Sequence, residues 1–390
     1  MIRDVHLTNF KCFQQERIPL NRLTVLSGGN GVGKSSVIQS LLLLRQTGDR
    51  ARLLTGAVSG TDGGHPLLSI KLNDEYRLNL GNSATLTNAD IESDIVVLGV
   101  SGDDTEPVLC SFEASNTKPT TSIVCLEAPG DLLARAGALP IFRQEFHYLV
   151  AERVGPRDLQ PMADQPFIST GYAGEFTAFA ISQAEAEGRM VAKPLCIVAD
   201  SSLFRIQLEA WMGRLVPGAQ IFTTPHPDLN RVQMAIGRRG ATARALPPAN
   251  TGFGISYALP VVVSGLLAAP GSMLIVENPE AHLHPGAQTA IGIFLASVAS
   301  SGVQVLVETH SENVLNGVRL AALRDIIPYD DARFLFLSLG EGPGQPILHP
   351  ITMDKAAELT SWPPGFFDQQ GADLAEMMKA RRALAAQAKS

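Results

Sequence analysis

The run Gly28-Gly29-Asn30-Gly31-Val32-Gly33-Lys34-Ser35 decides how this chain is read. It fits all eight positions of the pattern G-x-x-x-x-G-K-[ST]. Ahead of it stands the short apolar run Leu23-Thr24-Val25-Leu26, a predicted strand. Behind it, Lys34 to Gln46 repeats with helical period, and Val37, Ile38, Leu41, Leu42 and Leu44 share one broad face. A glycine-rich turn between strand and helix is the context in which this pattern cradles phosphates. Gly28, Gly31 and Gly33 let the backbone turn tightly and approach an anion, and the N–H groups of the loop and helix start then face it. The candidate binding residues are Gly28, Asn30, Gly31, Gly33, Lys34, Ser35 and Ser36. Lys34 is expected to reach β- and γ-phosphates, and the Ser35 hydroxyl to take a Mg²⁺ position.

A second apolar strand, Met273-Leu274-Ile275-Val276-Glu277, ends in acids and runs on as Asn278-Pro279-Glu280. In a phosphate-loop protein such a strand presents a carboxylate to Mg²⁺. The usual acid there is Asp; Glu277 reaches about one methylene further and can still hold a metal-bound water. The next position, often the base for the attacking water, is Asn278. An amide orients water but cannot accept its proton at neutral pH. Glu280 and Glu308 are the nearby substitutes. His282 and His284 follow as His-x-His without a matching third ligand, so a loop carrying histidine to an interface is the better reading than a metal site.

A third strand, Val303–Glu308, leads into Thr309-His310-Ser311. Parallel strands put their C-terminal ends on one side of the sheet. His310 is therefore expected near the γ-phosphate, able to sense it by a hydrogen bond. Thr251-Gly252-Phe253-Gly254-Ile255-Ser256 opens another helix and forms a second anion cradle by the same dipole logic. One chain already has one cradle, so a second is useful if it closes over the nucleotide of another subunit.

Elsewhere the pattern reads as a loop over 50–65, then short strands at 67–72, 76–80, 95–100, 108–113 and 122–126. Helices are expected near 174–187 and 203–215, strands at 219–223 and 231–237. After them come a helix (256–267), the strand to Glu277, a helix (286–299), the strand to Glu308, a helix (312–323) and a helical tail from Ala372. Strands separated by helices imply a parallel sheet. With 390 residues and 45 % apolar residues the chain can bury a sizeable core, which excludes a disordered chain. A net charge of −7 gives no bulk attraction to nucleic acid, although Arg238-Arg239 with Arg244, and Lys379, Arg381 and Arg382, are local basic clusters. No apolar run approaches the roughly 20 residues that span a bilayer, and the start Met1-Ile2-Arg3-Asp4 has no apolar stretch, so neither a membrane association nor a secretory signal is expected. Four scattered cysteines, Cys12, Cys110, Cys125 and Cys196, fit free thiols in a reducing cytoplasm.

Taken in order, phosphate loop, Gly/Ser loop, acidic strand and Thr-His-Ser strand resemble the ATPase heads of the ABC superfamily. Short AAA-labelled ATPases related to the overcoming-lysogenization-defect and SMC groups are the nearer likeness. Its marks include Leu7-Thr-Asn-Phe-Lys-Cys-Phe13, Tyr148-Leu149 with Arg153-Val-Gly-Pro156, Gly171 with Gly174-Glu175, and Glu277 through Pro285. Trp362-Pro-Pro-Gly-Phe-Phe-Asp368 resembles the end motif of a subgroup with a small C-terminal domain of unknown function.

The resemblance implies an α/β fold, an ABC-type ATPase head with a RecA-like parallel core, an inserted β-rich lobe and a helical lobe. The division would be core at 1–50 and 251–340, β-rich lobe at 51–130, mixed helical lobe at 131–250 and C-terminal domain at 341–390. It implies ATP and Mg²⁺ as cofactors, with Ser35 and Glu277 toward the metal and Glu277, Asn278, Glu280 and His310 toward catalysis. Two heads would sandwich two ATPs as a homodimer or within a higher oligomer, with Gly254 and Ser256 touching the partner's γ-phosphate. Arg153 would lie near nucleotide or an interface. Relatives of this size accompany a nuclease or toxin effector in prokaryotic anti-phage systems. The chain shows no heptad run for a coiled-coil arm and no Asp-x-Asp pair of a TOPRIM nuclease. The alternatives are a nucleotide-gated scaffold with little turnover and a DNA-binding, SMC-like head.

Overall fold

The computed structural model describes residues 1–57, 68–103, 105–126, 132, 137–238, 240, 245–340 and 346–387. Among them the strands form three sheets. The first is antiparallel and joins β1 (Ile2–Phe10), β2 (Phe13–Pro19), β4 (Leu68–Lys71), β5 (Ile95–Gly102), β6 (Val108–Glu113) and β7 (Ser122–Cys125) in the order β2-β1-β5-β6-β7-β4. The second joins β3 (Leu23–Gly28), β8 (Phe146–Leu149), β12 (Met273–Glu277), β13 (Gln304–Glu308), β14 (Ala332–Ser338) and β15 (Ile347–Ile351) in the order β15-β14-β3-β13-β12-β8. All its pairings are parallel except β14 with β15. The third is a small antiparallel sheet, β10-β11-β9, of β9 (Leu159–Pro161), β10 (Ala219–His226) and β11 (Arg231–Arg238).

The helices are α1 (Lys34–Ala57), α2 (Thr177–Ala186), α3 (Phe204–Leu215), α4 (Phe253–Leu267), α5 (Pro285–Ser300), α6 (Glu312–Leu323) and α7 (Gln369–Gln387). Apart from the edge strand β15, the second sheet is buried on both faces, which is why its strands are mostly apolar runs rather than alternating ones. Leu26, Ile275, Leu306 and Leu335 pack into one core with α1 and the first sheet. Val25, Val276, Val305 and Phe334 pack into the other, with α2 to α6. Gln304 stitches the two layers together. It accepts from the Ile2 N–H (2.8 Å) and donates to the carbonyls of Ile2 (2.7 Å) and Asn21 (3.1 Å).

Two segments differ from the sequence reading, and five strands were not read. Residues 50–57, expected as loop, continue α1, where Asp49 takes Arg45 at i−4 (3.1 Å) and Arg52 at i+3 (2.8 Å). The rest of that loop, 58–65, lies outside the described residues. The strand expected at 76–80 is instead a 3₁₀ turn over Glu75–Arg77, with Tyr76 and Arg77 at φ 53° and 55°. The Asn73 amide closes that turn on Gly81 from both sides (2.8 and 3.0 Å), and the Tyr76 hydroxyl is drawn inward to Arg45 (3.1 Å) and Asp49. Strands β2, β8, β9, β14 and β15 were not legible as strands. Of the basic clusters, Arg239 and Arg244 lie outside the described residues, and Lys379, Arg381 and Arg382 are exposed on α7.

The Trp362–Asp368 segment anchors the chain after β15. Phe366 is fully buried, 5.4 Å from the Phe336 ring and 5.4 Å from Trp362. Among the described residues no helix is long and apolar enough to cross a membrane.

Candidate nucleotide site

The glycine-rich loop hangs between the end of β3 and the start of α1. Gly28 sits at φ +144°, and a Cβ there would stand 2.3 Å from the Leu337 carbonyl oxygen. Gly33 sits at φ +97°, and a Cβ there would meet Cys12 Sγ at 2.6 Å. Only glycine fits either place. Gly29, Asn30, Gly31 and Ser35 are exposed, Ser36 is buried, and Lys34 is only 5 % exposed. The Lys34 ammonium folds back on its own loop, donating to the carbonyls of Gly29 (2.6 Å) and Gly28 (3.1 Å). It also lies 3.9 Å from Glu308 Oε1.

The order of the sheet sets the acids. β13 lies between β3 and β12, so Glu308 is nearer the loop than Glu277. The ladders put Leu26, Glu308 and Glu277 side by side. Burial and the neighbouring Glu277 push the Glu308 carboxyl up to about 7, against the pull of Lys34 and of a hydrogen bond with Ser35. Burial likewise lowers Lys34, against Glu308. Desolvation outweighs attraction for both members of this pair. Burial raises Glu277 too, although Tyr148 Oη donates to its Oε1 (2.8 Å) and the Ala151 N–H to its Oε2 (3.2 Å).

Arg153 is a buried clamp on this strand end. Its guanidinium donates to the carbonyls of Glu277 (2.7 Å), Asn278 (2.6 Å) and Val150 (3.3 Å), and stacks 5.7 Å from the Tyr257 ring. Burial brings it down to about 10, so it stays charged at neutral pH. Asn278 takes φ 42°, donates its N–H to the Glu308 carbonyl (2.8 Å), and leaves its buried side-chain oxygen without a partner.

Glu280 does not point at the loop. Its oxygens accept from Thr309 Oγ1 (2.7 Å) and the His310 N–H (2.9 Å), tying the turn after β12 to the turn after β13. His310 is exposed over part of its surface, and the partial desolvation of its ring, together with nearby Lys34, lowers its pKa. Ser311 caps α6, accepting from the N–H groups of Asn313 and Val314. His284 accepts from the Gly286 N–H (3.4 Å) at the start of α5, and His282 packs on Tyr257 (4.4 Å) and Phe253 (5.7 Å). Among the described residues no three His, Cys, Asp or Glu side chains form a metal cluster.

The Gly/Ser loop opens α4. Gly254 lies against the His282 carbonyl, where a Cβ would come within 2.8 Å. Phe253 is 54 % exposed. The Ser256 hydroxyl is buried without a partner and turns into the body rather than outward. Sequence reasoning missed Tyr148 as the donor to Glu277; Arg153, expected near nucleotide or an interface, lies buried against the end of β12. The chain order gave no cue that β8 would lie beside β12.

Three family models match the chain. One described as "AAA ATPase domain" matches residues 1–125. One described as "AAA domain, putative AbiEii toxin, Type IV TA system" matches 227–316. A "Protein of unknown function (DUF3696)" model matches 327–377, which includes the Trp362–Asp368 segment. Among solved structures, an SMC head bound to the C-terminal winged-helix domain of ScpA is similar at 12 % identity and TM-score 0.51, covering 91 % of this chain and 99 % of that one. An SMC head with an extended coiled coil, bound to the C-terminal domain of ScpA derived from Pyrococcus furiosus, is similar at 12 % identity and TM-score 0.50, covering 97 % and 99 %. No curated protein matches the sequence.

The fold is therefore an ABC-type ATPase head of the kind seen in SMC proteins. Two segments of its sequence match AAA ATPase models, one holding the glycine-rich loop and the other the acidic strand.

Proposed function

We propose that the protein is a Mg²⁺-dependent ATP-binding switch that hydrolyses ATP slowly, assembles head to tail with a second copy, and controls a separate effector. The observation that carries this reading is the placement of Lys34 and Ser35 against the in-register carboxylates at the ends of β12 and β13. Lys34 holds two loop carbonyls that a triphosphate would release it from. Ser35 and the carboxylate pair fit a Mg²⁺ that completes its shell with phosphate oxygens and water.

Closure on a second copy would bring Gly254 and Ser256 to the other copy's γ-phosphate. The exposed Phe253 beside His282 supports an unfinished surface at that loop, while the buried Ser256 hydroxyl would have to turn outward to take part. Binding energy would thus become a change of shape that a partner reads. An effector of nuclease or toxin type, in prokaryotic anti-phage defence, follows from the family resemblance, and the cytoplasm is the compartment that four cysteines outside any disulfide favour.

Equilibrium ATP binding and radiolabelled turnover by the wild type and Lys34→Ala test the reading. Lys34→Ala is expected to lose both, and Glu277→Gln to lose most of the turnover. A Lys34→Ala protein that binds and hydrolyses like the wild type overturns the assignment. Asn278 favours a second reading, a nucleotide-gated scaffold without turnover; multiple turnovers by the wild type exclude it.

A further inference from the structure

The two acids at the strand ends are engaged very differently. Glu277 has a donor on each oxygen, Tyr148 Oη at 2.8 Å and the Ala151 N–H at 3.2 Å. Both come from the β8 side of the sheet, away from the glycine-rich loop. Glu308 is 6 % exposed, and its Oε2 is buried with no hydrogen-bond partner. An unpartnered buried carboxylate oxygen is costly, and native structures seldom keep one without a function or a missing ion. Its other oxygen lies 3.9 Å from the Lys34 ammonium, which already donates to two loop carbonyls. Ser35 is among the groups that draw the Glu308 carboxyl down and is not among those acting on Glu277. Glu308 also stands one strand closer to the loop.

We propose that Glu308, rather than Glu277, is the protein carboxylate that faces the nucleotide's Mg²⁺ together with Ser35. The inference rests on the reading of the loop as a Mg²⁺-ATP site. With no third acid or histidine gathered there among the described residues, the ion must draw its remaining ligands from phosphate and water. Glu277 keeps the Tyr148–Arg153 segment on the end of β12.

The test measures ATP affinity by calorimetry with Mg²⁺ and with EDTA, and bound Mn²⁺ by electron paramagnetic resonance with a slowly hydrolysed ATP analogue. In the wild type, metal is expected to strengthen binding. Glu308→Gln is expected to lose about tenfold or more of that gain, while its metal-free affinity stays level or rises. Glu277→Gln is expected to keep a larger share of the gain than Glu308→Gln. Should the amide fail to fold, Glu308→Asp keeps the charge, withdraws it by one methylene, and gives the same comparison. A Glu308 variant with the full wild-type gain overturns the inference while leaving the ATP site standing. A wild type that binds no ATP under either condition overturns the site itself.

Discussion

Glu277 and Glu308 are direct partners across the parallel ladder of β12 and β13, so two carboxylates end their strands side by side. Leu26, two residues before Gly28 on β3, is the next partner in the same row. Burial raises both carboxyls, and the neighbouring Glu277 raises Glu308 further. The row is an electrostatically tense edge that a divalent cation would relieve.

Arg153 holds that edge from below. Replacing it with Ala strips donors from the buried carbonyls of Glu277 and Asn278 and is expected to cost about 3 kcal/mol in urea unfolding. Arg153→Lys is expected to recover only part, since one ammonium cannot match the two-pronged geometry. Full recovery by Lys would mean that charge, not the fork, is what matters.

Asn278 stands where a water-activating acid is usual. Asn278→Glu is expected to raise single-turnover hydrolysis by about 10²-fold if proton transfer limits the rate. The substitution also places Glu at φ 42°, a left-handed position that Asn tolerates better, so a lower melting temperature should accompany the gain. No gain in rate would locate the limiting step elsewhere.

Two glycines make a contrasting stability pair. A Cβ on Gly292 would stand 2.3 Å from the Val314 carbonyl oxygen, where α5 and α6 meet, whereas one on Gly213 meets nothing within 4 Å. Gly292→Ala is expected to destabilise by about 1–3 kcal/mol. Gly213→Ala, within α3, is expected to stabilise by about 0.5–1 kcal/mol. Thermal melts of the two variants read the difference directly.

Cys12 reports on the loop from beneath, with Gly33 packed over its sulfur. Burial raises its thiol pKa above the ordinary 9.0, against a hydrogen bond with Ser36. The reactive thiolate is therefore scarce at neutral pH, and alkylation should climb about tenfold per pH unit through pH 9 before levelling. Bound ATP is expected to slow the reaction at Cys12 and leave Cys196 unaffected, as read by mass spectrometry of the alkylated peptides.

The sequence displayed the machinery better than its surroundings. β3, α1, β12, β13 and α6 were legible because each combines an apolar run or helical period with a sharp terminal signal: glycines, an acid, or the Ser311 cap. α6 was read to the residue. β8 was not, because Phe146-His147-Tyr148-Leu149 is only four residues long and its partner β12 lies more than a hundred residues away. That omission hid Tyr148. The difference between Glu277 and Glu308 was hidden for a related reason. Strand order, not chain order, decides which acid stands beside Lys34, and β13 enters between β3 and β12 although it comes last of the three. The turn at Glu75–Arg77 defeated the strand reading because Asn73 closes it on Gly81, a local bond invisible to hydrophobic alternation.

Gln304 opens β13 and grips Ile2, whereas Glu308 closes the same strand. Strands rise about 3.3 Å per residue, so the two ends lie roughly 13 Å apart at opposite ends of the strand. A fluorophore or affinity handle joined at Met1 would consequently emerge on the opposite rim, leaving the phosphate edge clear for reporting experiments.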